Sequence, residues 1–299
     1  MWQARAAVPR PFRALVALLL ALPAPLLAQH TTERRMAFDP DGSIRIYNLS
    51  GSVRIEGWDR DTLSVSSTQA AGPAEKIFFG GSPRAAKLGI ETRQDSQAPV
   101  HLVIRVPARA RVWVKTADAD VTLTGLDGGV DVYTTSGGIR FTGTAGDLHL
   151  ETMDGNIDAE ASGTWIRART ASGNITLRGS GEDVGATTVS GRLVLLSTGL
   201  RRARLESVTG AIDFRGRLTR DGDLSVESHS GTVDMRLAAD LGAEFDLNTY
   251  TGTISGDFPY PVSSLRRGEH GTDLTFTVGD GGAGVTVRTF KGDIVLRRR

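Results

Sequence analysis

A glycine recurs every eighteen residues through the middle of this chain. Gly137, Gly155, Gly173 and Gly191 each stand in the same setting, as in Thr170-Ala-Ser-Gly-Asn-Ile-Thr-Leu177. The pattern continues at wider intervals through Gly210, Gly231, Gly252 and Gly292, and a further cognate holds Gly51. Ala119 occupies the equivalent place in Thr116-Ala-Asp-Ala-Asp-Val-Thr-Leu123. A period of this length points to one small supersecondary unit repeated along the chain.

The columns around the glycine define that unit. Two and four places after it stand Ile139 and Phe141, Ile157 and Ala159, Ile175 and Leu177, Leu193 and Leu195. Five and seven places before it stand Val132 and Val130, Leu150 and Leu148, Ala168 and Ile166, Ala186 and Val184. Period-two alternation on both sides of a turn reads as two short strands with one apolar face. One such pair cannot bury that face alone, whereas stacked pairs bury it against each other. The chain is therefore expected to be all-β, a parallel β-solenoid of two-strand coils about 18 residues long. The alternative is an antiparallel β-sandwich, which two-strand units also suit. In-register identity of the columns favours the parallel stack.

The turn has its own chemistry. The residue before the glycine is short and polar (Ser136, Asp154, Ser172, Ser190), and the glycine is read as free to adopt positive φ. Three places before it lies a hydroxyl row: Thr116, Thr134, Thr152, Thr170, Thr188, Ser207, Ser228, Thr249 and Thr289. Its parity points inward, towards turn carbonyls.

The first 28 residues read as a secretory signal peptide, with an uncleaved membrane anchor as the alternative. Arg5, Arg10 and Arg13 precede the apolar run 14–22, which is too short to span a bilayer comfortably, and Ala28 is the expected cleavage point. Export to the periplasm, the cell surface or the medium follows, with no transmembrane segment after cleavage. Removing the three arginines takes the formal net charge from +1 to −2, which argues against a nucleic-acid partner. Basic residues are nearly all Arg, with Lys only at 76, 87, 115 and 291. A GC-rich genome accounts for that bias, and affinity for anionic envelope polymers is the other reading. The absence of Cys excludes disulfides and thiolate metal sites.

Residues 29–37 are expected to be a loose mature N-terminus. Residues 38–115 read as N-terminal β-strands with an inserted loop at 70–99, and 116–299 as the repeats, with an excursion at 256–284. The terminal arginines 297–299 are expected to guard an exposed strand edge by charge.

Three stretches carry a resemblance to a known family: Gly51-Ser-Val-Arg-Ile-Glu-Gly-Trp-Asp59, Val103-Ile-Arg-Val-Pro107 leading into Val112-Trp-Val-Lys-Thr116, and the C-terminal run from Gly279 to Ile294. Over residues 38–299 the chain resembles the bacterial putative-adhesin family of unknown function. The resemblance implies an extracytoplasmic or surface role and supplies no catalytic residues.

No His-Glu-x-x-His, nucleophile elbow or phosphate-binding loop occurs, and no cofactor or metal is expected. Acids on an outer sheet face deserve a separate look, because two carboxylates can cleave polysaccharide. Asp213 and Asp234 are the candidate exposed carboxylates, stacked neighbours whose repulsion would raise one pKa. The leading function is an exported, non-catalytic scaffold or adhesin-like binder, with envelope polysaccharide or a surface protein as partner. A carbohydrate-active β-helix enzyme is the alternative.

Overall fold

The structure is a computed structural model that describes residues 30–69, 76–91, 99–261, 265–268 and 271–298. The expected leader, 1–28, lies outside the described residues. Those described form twenty-one strands and no helix. The N-terminal end comprises β1 (His30–Ala37), β2 (Ser43–Trp58), β3 (Thr62–Gln69), β4 (Lys76–Ser82), β5 (Ala85–Glu91), β6 (Val100–Pro107) and β7 (Arg111–Thr124). The regular middle comprises β8 (Val130–Thr134), β9 (Ile139–Thr144), β10 (Asp147–Thr152), β11 (Ile157–Thr170), β12 (Ile175–Thr188), β13 (Leu193–Ser207) and β14 (Ile212–Ser228). The C-terminal end comprises β15 (Val233–Leu237), β16 (Ala243–Thr249), β17 (Ile254–Gly256), β18 (Leu265–Gly268), β19 (Gly271–Val278), β20 (Ala283–Thr289) and β21 (Ile294–Arg298).

From β7 to β15 every ladder between neighbouring repeats is parallel, not antiparallel as a sandwich requires. Ile157 pairs with Ile175, Ile175 with Leu193 and Leu193 with Ile212 in one row. Leu148 pairs with Ile166 and Ile166 with Val184 in the other. Like residues thus lie over like residues at about 4.8 Å per level. The inward columns are sealed: Leu150, Ile175, Leu193, Phe214 and Phe245 are all 0% exposed. Apolar burial on this scale, at about 25 cal/mol per Å², is the main drive for stacking. Where the glycine spacing widens after Gly191, the extra residue is absorbed as a register shift, with Gly179 pairing with Ser197 but Ser180 with Gly199.

The turn glycines differ from their sequence reading. Of the row, only Gly51 has positive φ, at 108°. The others are needed because successive turns nearly touch. A Cβ on Gly155, Gly173 or Gly191 would lie 2.0, 1.8 or 1.7 Å from the carbonyl oxygen of the glycine one level below. Gly210 and Gly231 meet the same obstacle at 1.9 and 2.0 Å, Gly252 and Gly292 at 2.2 and 2.1 Å, and Gly137 meets the Ala119 carbonyl at 2.0 Å.

Level order departs from chain order at both ends. β2 lies between β7 on one side and β5 and β6 on the other, all parallel. Likewise β20 lies between β14 and β16, and β21 between β15 and β17. The obstacles follow this order, since Gly292 abuts Gly231 and Gly252 abuts Gly292. So does an exposed ring stack, in which His229, Phe290 and Tyr250 have centroids 5.0 and 4.9 Å apart.

Four expectations change accordingly. Residues 30–37 are not loose: β1 pairs antiparallel with β3, which pairs antiparallel with β6. The 70–99 stretch is not simply a loop, because 76–91 form the hairpin β4–β5 and β5 extends the ladder of β2. The 256–284 excursion holds β18 and β19, and β19 lies antiparallel on β16. Arg297 and Arg298 guard no outer edge. β21 is interior, with Arg297 3.3 Å from Asp234 and Arg298 donating to the Ala239 carbonyl. Antiparallel strands lie over the parallel stack at each end, which limits edge-to-edge association.

Candidate binding face

The hydroxyl row faces inward and is buried, from Thr249 at 0% to Ser207 and Ser228 at 7% exposed. Each threonine in the middle of the stack does two things. Thr170 Oγ1 accepts from Gly173 N at 3.1 Å and donates to the Gly155 carbonyl at 3.2 Å. Thr152 does the same with Gly155 and Gly137. These hydroxyls satisfy turn groups that would otherwise be orphaned in the interior, and they offer nothing to a ligand.

The two candidate carboxylates are adjacent, as Asp213 pairs with Asp234, but they are not exposed acids. The Asp213 side chain is 4% exposed and binds Arg192 at 3.0 Å and Arg215 at 2.8 Å. Burial pushes its pKa up, but hydrogen bonds from Arg215 and Arg192 outweigh this and hold the carboxyl below the usual range. Asp234 has Arg236 and Arg297 within 3.5 Å. Both acids are engaged by guanidinium groups, which suits neither proton donation nor attack on a sugar.

The opposite sheet carries the distinctive feature. Its outer face is built from residues 43–48 of β2, 111–116 of β7, β8, β10 and the second half of β11. Tyr47, Trp113, Tyr133, His149 and Trp165 form an unbroken strip there, with successive ring centroids 5.1, 6.1, 5.1 and 6.3 Å apart. Alternation along each strand turns these rings outward while Ile46, Val114, Val132, Leu148 and Ile166 point into the core. Five levels at about 4.8 Å make the strip about 20 Å long.

Polar groups run beside the rings. The Tyr133 hydroxyl lies 3.0 Å from His149 Nδ1. Asp131 and Glu151 flank the same imidazole at 3.7 and 3.5 Å. Burial, then the charges of Asp131 and Glu151, raise the Tyr133 pKa, so the phenol keeps its proton. Trp165, 38% exposed, has the Arg167 guanidinium 4.5 Å from its ring centroid. Arg167 is fixed by the Asp183 carboxylate at 2.8 Å and the Asp183 carbonyl at 3.0 Å. It lies across Gly185, where a Cβ would come within 2.7 Å of Arg167 Cδ. The missing side chain leaves a groove of about 500 Å³ between Trp165 and the side chains of Arg202, Arg204 and Glu206. A second groove of about 420 Å³ adjoins Tyr47 and Trp113, with Arg45, Arg111 and Asp131 on its walls.

This arrangement can hold a flat, ring-bearing, hydroxylated ligand. Aromatic faces are electron-rich and take C–H groups or cations, while the Tyr, His and carboxylate groups beside them exchange hydrogen bonds. Among the described residues no group of three His, Asp or Glu side chains is arranged to hold a metal ion. The sequence reading missed the strip altogether.

The chain is similar in fold to a solved structure described as a putative adhesin from Parabacteroides merdae, at 11% identity and a TM-score of 0.51, covering 90% of this chain and 96% of that one. It also matches a putative adhesin from Bacteroides fragilis, at 11% identity and a TM-score of 0.46, covering 90% and 97%. A match described as a putative lipid binding protein from Parabacteroides distasonis has 10% identity and a TM-score of 0.40, covering 90% and 96%. No curated protein matches the chain. The family model described as Toastrack DUF4097 matches residues 39–193, more than half of the sequence, and the chain belongs to that family.

Proposed function

We propose that this protein is an exported, non-catalytic scaffold of the cell envelope, a two-sheet parallel β-solenoid that holds a polysaccharide along its aromatic strip. The observation that carries the reading is the run of five rings from Tyr47 to Trp165, each within 6.3 Å of the next. An extended strip on a rigid sheet suits an extended chain of sugar rings better than a small enclosed ligand. The basic and then apolar segment 1–28 supports export. The arginine-bound state of Asp213 and Asp234 supports binding over cleavage.

A panel of soluble glycans tests the reading, with tryptophan fluorescence and affinity electrophoresis as readouts. At least one glycan should retard the protein and perturb its emission. Trp113→Ala and Trp165→Ala should each weaken retention while keeping the far-UV spectrum. Retention of no glycan, or variants that bind as the parent does, would overturn the reading. Cleavage products in the same mixtures would replace it with the enzyme alternative.

A further inference from the structure

We infer that the polysaccharide is an acidic one, a chain of carboxylate-bearing sugars that spans both grooves at once. The inference rests on the glycan reading of the strip and adds the charge and minimum length of the ligand. Its basis is a set of cations with no ion-pair partner among the described residues. Arg45, Arg111, Lys115 and Arg169 all project from the strip face, all are exposed, and none lies within 4.0 Å of a carboxylate. Lys87 stands over the Tyr47 ring at 5.2 Å.

The acids of this face are mostly engaged. Asp131 and Glu151 lie against His149, Asp183 binds Arg167 and Arg202, and Glu206 binds Arg204. Asp147 beside Trp165 has no Lys, Arg or His nitrogen within 4.0 Å among the described residues, and Asp131 and Glu151 have only the His149 imidazole. The larger groove has Arg167, Arg169, Arg202 and Arg204 on its walls against Asp183 and Glu206, an excess of two positive charges. The smaller has Arg45 and Arg111 against Asp131, with Lys115 and Lys87 adjoining. On the other sheet Arg54 and Arg140 also lack ion pairs among the described residues, but no aromatic ring contact among those residues lies beside them.

Positive charge is therefore concentrated where the rings are, at both ends of the strip. The groove centres, at β7 and between β11 and β12, lie three to four levels apart, about 17 Å at about 4.8 Å each. That exceeds the Debye length of about 8 Å at physiological salt, so the two patches act separately. A single acidic sugar engages one patch. A chain long enough to reach both gains from effective concentration, with no new contact needed.

The test titrates the full chain with four probes: polygalacturonate, monomeric galacturonate, the neutral polymer dextran, and inorganic polyphosphate, which carries charge without sugar rings. Polygalacturonate is expected to bind tightest, about tenfold or more above dextran at low salt, with the margin shrinking as salt is added. Monomeric galacturonate is expected to bind far more weakly. Arg45→Gln with Arg169→Gln should reduce polygalacturonate affinity by a much larger factor than dextran affinity. Equal binding of dextran and polygalacturonate would overturn the inference while leaving the glycan reading intact. Binding of neither would remove both. Polyphosphate that binds as well as polygalacturonate, and is indifferent to Trp113→Ala, would reduce the site to plain charge attraction and also overturn it.

Discussion

Replacing Gly173 with alanine should be among the most damaging single-methyl additions in this protein, although the residue sits at a surface turn. Its Cβ would stand 1.8 Å from the Gly155 carbonyl oxygen, where real contacts need about 3.0 Å. The two turns must therefore separate by about 1.2 Å. At least four hydrogen bonds cross that gap. Ala171 N and Ser172 N both donate to the Met153 carbonyl at 3.0 Å, Ile157 N donates to the Asn174 carbonyl at 2.8 Å, and Thr170 Oγ1 donates to the Gly155 carbonyl at 3.2 Å. An opening of that size removes them all, and at about 1 kcal/mol net each the cost is about 4 kcal/mol. Gly146→Ala is the control, because nothing lies within 4 Å of its added Cβ, and its effect should stay within about 0.5 kcal/mol. Urea unfolding followed by far-UV circular dichroism reads both. Asparagine sharpens the test, since it tolerates positive φ better than alanine but is larger. If Gly173→Asn proves milder than Gly173→Ala, or Gly173→Ala matches wild type, the close-approach argument fails.

Other perturbations follow from the same geometry. Ile175 is 0% exposed, so Ile175→Asp buries a charge without a partner and should abolish cooperative unfolding. Exposed Asn174→Asp keeps the acceptor that Arg192 N uses at 2.8 Å and should shift stability by no more than about 0.5 kcal/mol. Thr170→Val keeps the shape but orphans Gly173 N and the Gly155 carbonyl, costing about 1–3 kcal/mol in the same assay. Asp213 has a lowered pKa relative to the ordinary 3.8. Its ion pairs therefore add stability that is fully present above that value and lost as pH falls through the lower folded-state value. Asp213→Asn should be destabilising at pH 7, and its gap from wild type should close in acid. A gap that stays constant down to pH 2 would contradict the pairing.

The repeat was legible in the sequence because stacking forces chemically equivalent residues into equivalent columns. Ile157, Ile175 and Leu193 can be aligned by eye, and they pair in that register. The role of the glycines was not, because positive φ and close backbone approach select the same residue, and only coordinates separate them. Level order at the ends was hidden for a similar reason. The 40-residue interval from Gly252 to Gly292 reads as a long excursion, whereas the chain first passes over one level to form β16 and β17, turns back through β18 and β19, and fills the level it had skipped. The aromatic strip escaped column analysis because its five members are spread over three columns. Tyr47 and Tyr133 stand four residues before the turn position, Trp113 and His149 six, and Trp165 eight. Scanning the outward positions of consecutive units for neighbouring rings, and not only identical columns, is the signal that finds it. Asp213 and Asp234 were correctly placed side by side, but Arg192 and Arg297 reach them from neighbouring levels, while Arg215 and Arg236, two places on along the same face, were not weighed as partners.

The central structural claim is that the repeats join one parallel stack whose level order is set by column pairing and not by position in the chain. Spin labels at Ser230, Lys291 and Thr251, each one residue before a turn glycine, test it by dipolar broadening. All three positions are exposed. The 230–291 pair should lie one level apart, about 5 Å between backbones, and the 230–251 pair two levels apart, about 10 Å. The reverse order, with 251 nearer to 230 than 291 is, would mean that the terminal strands do not enter the stack and would contradict the account.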